Sequence, residues 1–369
     1  MYALFALLVL SLIVTIHELG HFLVARLCGV GVIEFSIGMG PIILHKRIKD
    51  TVYSIRALPV GGYCAMYGEN APETADKGSD ERKKKKREPD FKTDWNDNQS
   101  FKSKTKFQQL MILLAGPASN ILTGIVISFL SVLIFGSRCE PKIESIISID
   151  CPAAEAGFEV GDVIVGINDL EVLTFMDYDL YKTCNPDKIK DGYTITVKKP
   201  NGEYHSAFVT PDENTGLVGI VVETYLEPKH GTDIFKYTAN NIQYWFRLSI
   251  DSVKMIFTGQ AEFKDMSGII GTTDAMGQTM ENAATSEDGH FGFTLFILIT
   301  FLSINLGLMN LLPIPALDGG RAIVTYIEGA MNKNIPVKLE IVLNTIGFCM
   351  VIGLMIATTL NDITRIIMQ

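Results

Sequence analysis

A chain of 369 residues that is 47% hydrophobic and 20% charged, with a mean hydropathy of +0.24, is too apolar for an ordinary water-soluble domain. That composition excludes a disordered chain and a collagen-like repeat, and 6 cysteines are too few for a small disulfide scaffold. A net charge of −9 argues against a nucleic-acid partner.

Four stretches carry no Asp, Glu, Lys or Arg: 1–17, 107–137, 291–317 and 341–361, of 17, 31, 27 and 21 residues. A spanning helix needs about 20 residues. The first stretch reaches that length by continuing through Glu18 to Ala25, and Arg26 ends it. The expected fold is therefore a polytopic α-helical membrane protein with four transmembrane helices, the first within 1–27. A cleaved signal peptide fits less well, because a basic n-region and a clear small-residue cleavage site are both missing before the polar HELGH.

Within that first span stands His17-Glu18-Leu19-Gly20-His21, an H-E-x-x-H pattern. On a helix, residues i and i+4 share a face, so both imidazoles can bind one ion. Glu18, one residue on, is placed to take a proton from water held there. The bland alternative, two packed histidines and a glutamate, is expensive. A carboxylate near mid-membrane costs about 2.5–3.5 kcal/mol on insertion scales, so such a cluster reads as functional.

Residues 28–69 follow. Between 32 and 66 apolar and polar residues alternate, and Thr51-Val52-Tyr53-Ser54-Ile55-Arg56 reads as strand, with a turn expected over 46–50. Gly38-Met39-Gly40-Pro41 and Pro59-Val60-Gly61-Gly62 interrupt the pattern. From 70 to 106 the chain is polar and charged, with the run Arg82-Lys83-Lys84-Lys85-Lys86-Arg87, and reads as a flexible linker with a solvated or lipid-attracted face. The second span, 107–137, contains Gly116-Pro117-Ala118-Ser119-Asn120. This is either a small-residue packing site between helices or a place where Asn120 hydrogen-bonds near the active site.

Residues 28–106 hold 15 Lys/Arg against 11 Asp/Glu, whereas 136–290 hold 12 against 25. Positive-inside logic puts the first segment in the cytoplasm and the second outside, with both termini outside and 318–340 inside. The outer segment opens with a compact domain over 140–225. Strands are expected at 143–149 and 193–198, with a turn, a strand and a second turn over 160–169; a short helix follows Cys151, and Pro200-Asn201-Gly202-Glu203 makes a hairpin turn. The run PAAEAG…GDVIVGIN gives this stretch the look of a PDZ domain. Residues 226–290 are expected to be peripheral, with an amphipathic helix over 233–258 that lies on the membrane or packs on the domain. Cys139, Cys151 and Cys184 fall outside the membrane by this topology, and three cannot all pair within one chain.

A catalytic zinc takes three protein ligands and keeps one position open. Candidates for the third are Asp318, Cys28, Cys64, His45 and Cys349. Asp318 ends the third stretch, in Asn310-Leu311-Leu312-Pro313-Ile314-Pro315-Ala316-Leu317-Asp318-Gly319-Gly320, on the same side as His21. The two prolines break the helix, and backbone freed there must line a cavity or find partners. The alternative role for Asp318 is the N-cap of a helix over 321–330.

HELGH in the first span, AGPASN in the second and LMNLLPIPALDGG in the third resemble the site-2 protease family of intramembrane zinc metalloproteases. The likeness is nearest to the bacterial regulator of sigma-E protease type. FSIGMGP, GGYCAMYGE and the QSF before the second span fit the same order of parts. The resemblance implies one zinc ion on His17, His21 and Asp318, with Glu18 as catalytic base. It implies that Asn310, Pro313 and Pro315 help hold substrate. Gly38, Gly40 and Asn120 join them as substrate-contact candidates. It also implies that residues 32–66 form a membrane-reentrant β-hairpin on the cytoplasmic side. The substrates would be single-span membrane proteins, anti-sigma factors and signal-peptide remnants among them, trimmed beforehand by a site-1 protease, within a bacterial plasma membrane. Two features depart from the pattern: one PDZ domain where well-known enterobacterial-type members carry two, and the polar insert around 70–98. Two rival readings are a non-proteolytic PDZ scaffold with a structural zinc, which expects a fourth protein ligand, and a metal transporter, which expects ionisable residues in several spans.

Overall fold

In a computed structural model the described residues are 2–69, 95–138, 140–185, 189–212, 215–222, 226–259, 269–285 and 291–368. Residues 70–94 of the charged linker, including the basic run at 82–87, lie outside them, as does Cys139. The chain divides into two compact units, one of residues 1–124 and 262–369, the other of 125–261.

Among the described residues four helices are long and apolar enough to cross a membrane, and the first unit is built on them. They are α1 (Tyr2–Leu27), α2 (Lys106–Phe135), which runs on into the second unit, α7 (Phe291–Asn310) and α9 (Val337–Met368). Their leucines and isoleucines are widely exposed, Leu12 at 58% and Ile346 at 59%, which suits lipid as the surrounding medium. The third span is shorter than its apolar stretch. Its helix stops at Asn310, because Pro313 and Pro315 supply no amide hydrogen to continue the ladder. The connecting segment 318–340, where the sequence offers a helix over 321–330, contains α8 (Asp318–Met331).

Two long bent strands, β1 (Val32–Ile48) and β2 (Thr51–Met66), follow α1 and turn at Lys49–Asp50, with Lys49 at φ 54°. They do more than pair as a simple hairpin. Ser54 lies opposite His45 on one side and Ser36 on the other, and Ser36 also pairs with Tyr63. The two strands therefore curl into four adjacent segments. Gly38, Gly40 and Gly61 make the bends with φ of 83°, 88° and 77°, where a Cβ would be strained. One face of this sheet joins the core: Val32, Phe35, Cys64 and Met66 pack with Ala25 of α1, Ile112 and Leu113 of α2 and Ala322 of α8. The far part exposes Met39, Ile43, Leu44, Ile48, Ile55 and Leu58.

The second unit holds a four-stranded sheet in the order β6-β5-β7-β8, from β5 (Val163–Ile167), β6 (Leu170–Glu171), β7 (Tyr193–Lys198) and β8 (Tyr204–Val209). A second pair joins β4 (Ile143–Ile146) to β9 (Ile220–Val222), and a third joins β3 (Ser137–Arg138) to β10 (Leu226–Glu227). Helices α3 (Pro152–Glu155) and α4 (Phe175–Cys184) complete the unit, around a core of Ile143, Phe158, Ile164, Ile167, Tyr193, Ile195 and Val197. Burial pushes the Tyr178 and Tyr193 phenols up, so both stay neutral donors. Helix α5 (Asp233–Thr258) is held to α4 by an Arg247–Asp177 pair at 2.7 Å. Its Tyr237, Tyr244 and Trp245 are buried. In the first unit, α6 (Ile269–Thr285) packs on α1, and its Gly271 N–H donates to Asp362 of α9 at 2.8 Å.

Candidate metal centre

Helix α1 brings His17 and His21 to one face, one turn apart, and both are buried. Helix α2 crosses that face closely. Gly20 of α1 has no room for a Cβ, which would sit 2.4 Å from the Ala115 carbonyl oxygen. Ser119 of α2 closes the same contact by donating to the Ile16 carbonyl at 3.0 Å. Gly116 is tighter still: a Cβ there would lie 2.2 Å from His21 Nε2 and 2.8 Å from His17 Cε1. The two imidazoles occupy the space that any side chain at 116 would fill.

Asp318 arrives from the broken turn after α7. Between Asn310 and Asp318 the chain makes short-range bonds, Ile314 N–H to Leu312 O at 2.8 Å and Leu317 N–H to Ile314 O at 3.1 Å, and Ala316 has φ 82°. The following glycines allow helix α8 to begin against this turn. A Cβ on Gly319 would be 2.3 Å from the Leu311 oxygen, and one on Gly320 2.2 Å from the Ile314 oxygen. Asp318 is not the N-cap weighed from the sequence. The N-cap is Leu317, with no side-chain cap bond, and α8 starts at Asp318 itself.

The carboxylate of Asp318 instead turns to the histidines, its Oδ2 standing 3.0 Å from His17 Nε2 and 3.3 Å from His21 Nε2. The two Nε2 atoms are 3.3 Å apart. One donor atom from each of the three residues lies within 4.8 Å of the others, and this is the one such three-residue cluster among the described residues. Burial alone would raise the Asp318 carboxyl. The two histidines beside it outweigh that effect and hold the group below the ordinary carboxylate range, anionic as a ligand must be.

The donor set fits zinc. Two imidazole nitrogens and a carboxylate oxygen are a catalytic zinc's usual three protein ligands, with the fourth position left open. The outer side of the set fits as well, because His21 Nδ1 donates to the Ile112 carbonyl at 2.8 Å. A carbonyl only accepts, so the proton is on Nδ1 and the Nε2 lone pair faces the cluster. His45, Cys28, Cys64 and Cys349 do not join the cluster. Burial and the neighbouring Glu18 charge push the Cys64 thiol up, so it keeps its proton.

Glu18 stands beside the three. Gly62 of β2 passes so close that a Cβ would touch Glu18 Cγ at 3.6 Å. A cavity of about 150 Å³ is lined by His17, Glu18, His21 and Asp318, with Tyr63, Glu69 and Arg321 among its other walls. Glu69 and Arg321 pair at 2.6 Å and also line a neighbouring cavity of about 140 Å³ with Lys102 and Lys106. The residues expected to hold substrate stand elsewhere. Asn310 ends α7, Pro313 and Pro315 lie in the broken turn, Gly38 and Gly40 bend β1, and Asn120 is fully buried beside His17; none of them lines this cavity.

The sequence reading gave Gly116 no role at the histidines. Its signal was a glycine beside a proline in the second span, but only the helix crossing places it there. The Ile112 carbonyl is a backbone group with no sequence signal.

A membrane-spanning fold, an H-E-x-x-H helix and a remote aspartate closing a three-donor cluster define a membrane metallohydrolase. The family model for peptidase family M50 matches residues 5–354, so the chain belongs to that family, the site-2 proteases, and is a zinc metalloprotease. A Clostridium acetobutylicum protein assigned by name to the zinc metalloproteases is 33% identical, over 97% of this chain and 96% of its own. The regulator of sigma-W protease RasP of Bacillus subtilis is 29% identical over 97% of both chains. The zinc metalloprotease RasP of Oceanobacillus iheyensis is 29% identical over 97% of this chain and 98% of its own.

Proposed function

We propose that this chain is an intramembrane endopeptidase that holds zinc on His17, His21 and Asp318 and cleaves transmembrane segments of single-span membrane proteins. The observation that carries the reading is the convergence of those three donors, from α1 and from the break after α7, beside the Glu18 carboxylate. Zinc bound there supplies Lewis acidity, which polarises a carbonyl and makes water nucleophilic at neutral pH. Glu18 takes the proton of the attacking water and delivers it to the amine that leaves as the C–N bond breaks. A substrate helix hides its carbonyls in its own hydrogen bonds, so it must unwind to react, and the open parts of β1 and β2 offer a strand edge to hold the unwound stretch.

The exposed apolar residues Met39, Ile43, Leu44 and Leu58 support a hairpin that enters the membrane. The excess of Lys/Arg in 28–106 supports a cytoplasmic side for the hairpin and an outer side for 136–290. The strands and helices of 140–225 support a PDZ-like domain there. The name of the Bacillus subtilis relative, a regulator of a sigma-factor pathway, supports anti-sigma factors as one substrate class. The test uses purified enzyme in vesicles with a single-span substrate already trimmed on its outer side. Wild type should cut within the span, and Glu18→Gln, with zinc retained, should not; cutting by Glu18→Gln at near wild-type rate would refute the reading.

A further inference from the structure

Asn120 is fully buried on α2, in the middle of a candidate membrane span. Its amide nitrogen is 3.3 Å from His17 Nδ1, and its Oδ1 has no hydrogen-bond partner. An unpaired buried carbonyl is costly, so this amide is held in a place that does not satisfy it. The two histidines differ here. His21 Nδ1 faces a carbonyl, which fixes the proton on Nδ1. His17 Nδ1 faces an amide, which can either donate or accept. With the amide nitrogen donating, the imidazole proton sits on Nε2, which then donates to Asp318 Oδ2 at 3.0 Å. That is the wrong tautomer for a ligand, because the Nε2 lone pair is missing. A half-turn of the amide puts Oδ1 against Nδ1, and the proton then belongs on Nδ1.

We propose that Asn120 is a positioning residue for the metal: its Oδ1 accepts from His17 Nδ1–H and so presents the Nε2 lone pair to the ion. The inference rests on His17 being a zinc ligand. Asn120 is the counterpart for His17 of the Ile112 carbonyl for His21, and it suits both states because an amide carries a donor and an acceptor. Its burial also removes it from the substrate-contact role expected from the sequence.

The experiment measures zinc affinity by competition with a chromogenic chelator, on full-length protein in detergent, for wild type, His17→Ala, Asn120→Leu, Asn120→Ala and Asn120→Asp. Outer partners of ligating histidines are typically worth about 10–100-fold in metal affinity. Asn120→Leu and Asn120→Ala should weaken zinc by that factor, while Asn120→Asp, an acceptor without a donor, should hold zinc at least as tightly as wild type. Melting of the metal-free proteins identifies a variant that fails to fold, and Asn120→Asp then decides alone. Wild-type affinity in a folded Asn120→Leu or Asn120→Ala, or loss in a folded Asn120→Asp equal to that of His17→Ala, would overturn the proposal. Unchanged affinity in His17→Ala would instead remove the ligand reading beneath it. In 15N-histidine NMR of the zinc-loaded protein, His17 should carry its proton on Nδ1 in wild type.

Discussion

The metal centre and the small sheet unit of 140–222 are both buried, but they bury different things. The sheet unit encloses Ile143, Ile164, Ile167, Ile195 and Val197, all fully shielded and all apolar. The centre holds His17, His21, Asn120 and Asp318, which meet across as many as 297 positions of sequence and leave Asn120 Oδ1 without a partner. An apolar core is stabilised by its own burial. A polar cluster inside an apolar helix set costs free energy unless every group has a partner. The first region is therefore ordinary stability, and the second is stability given up for a site.

The comparison is broken most sharply by Glu18→Gln. The amide cannot accept a proton, so cleavage should fall about 100- to 10,000-fold with zinc content and melting unchanged. A variant that melts early would mean Glu18 supports the fold. Next comes Asp318→Ala, which removes one donor of three. Bound zinc per chain, by elemental analysis, should drop as it does in His21→Ala, and full occupancy would leave Asp318 as a structural partner of the histidines. Gly116→Ala is a steric test: the added methyl falls on both imidazoles, so zinc should weaken and Gly116→Ser should be no better. Unchanged zinc binding in Gly116→Ala would show that α2 can retreat. In the other region, Ile164→Ala should destabilise the sheet unit by about 2–5 kcal/mol. Zinc and cleavage of a trimmed substrate should survive it, whereas loss of zinc would show that the two regions do not stand apart.

How far the sequence reached follows the range of the interactions involved. The H-E-x-x-H pair is legible because i and i+4 meet on any helix, whatever else the chain does. The four spans are legible from length and missing charge, and the break after Asn310 from two prolines. Strands β5 and β7 follow from alternation between turns. The double pairing of Ser54 with His45 and Ser36 was not legible, because glycine bends at 38, 40 and 61 set it and no periodicity records them. Asp318 was left between cap and ligand for the same reason. Local sequence says that a helix begins there, and only the fold says where its carboxylate points.

The most direct test of the central claim is zinc K-edge X-ray absorption on the purified full-length protein. The account predicts a first shell of nitrogen and oxygen alone near about 2.0–2.1 Å, with two imidazole signatures. A sulfur neighbour near about 2.3 Å would place Cys28 or Cys64 on the metal and contradict the assignment of His17, His21 and Asp318 as its three protein ligands.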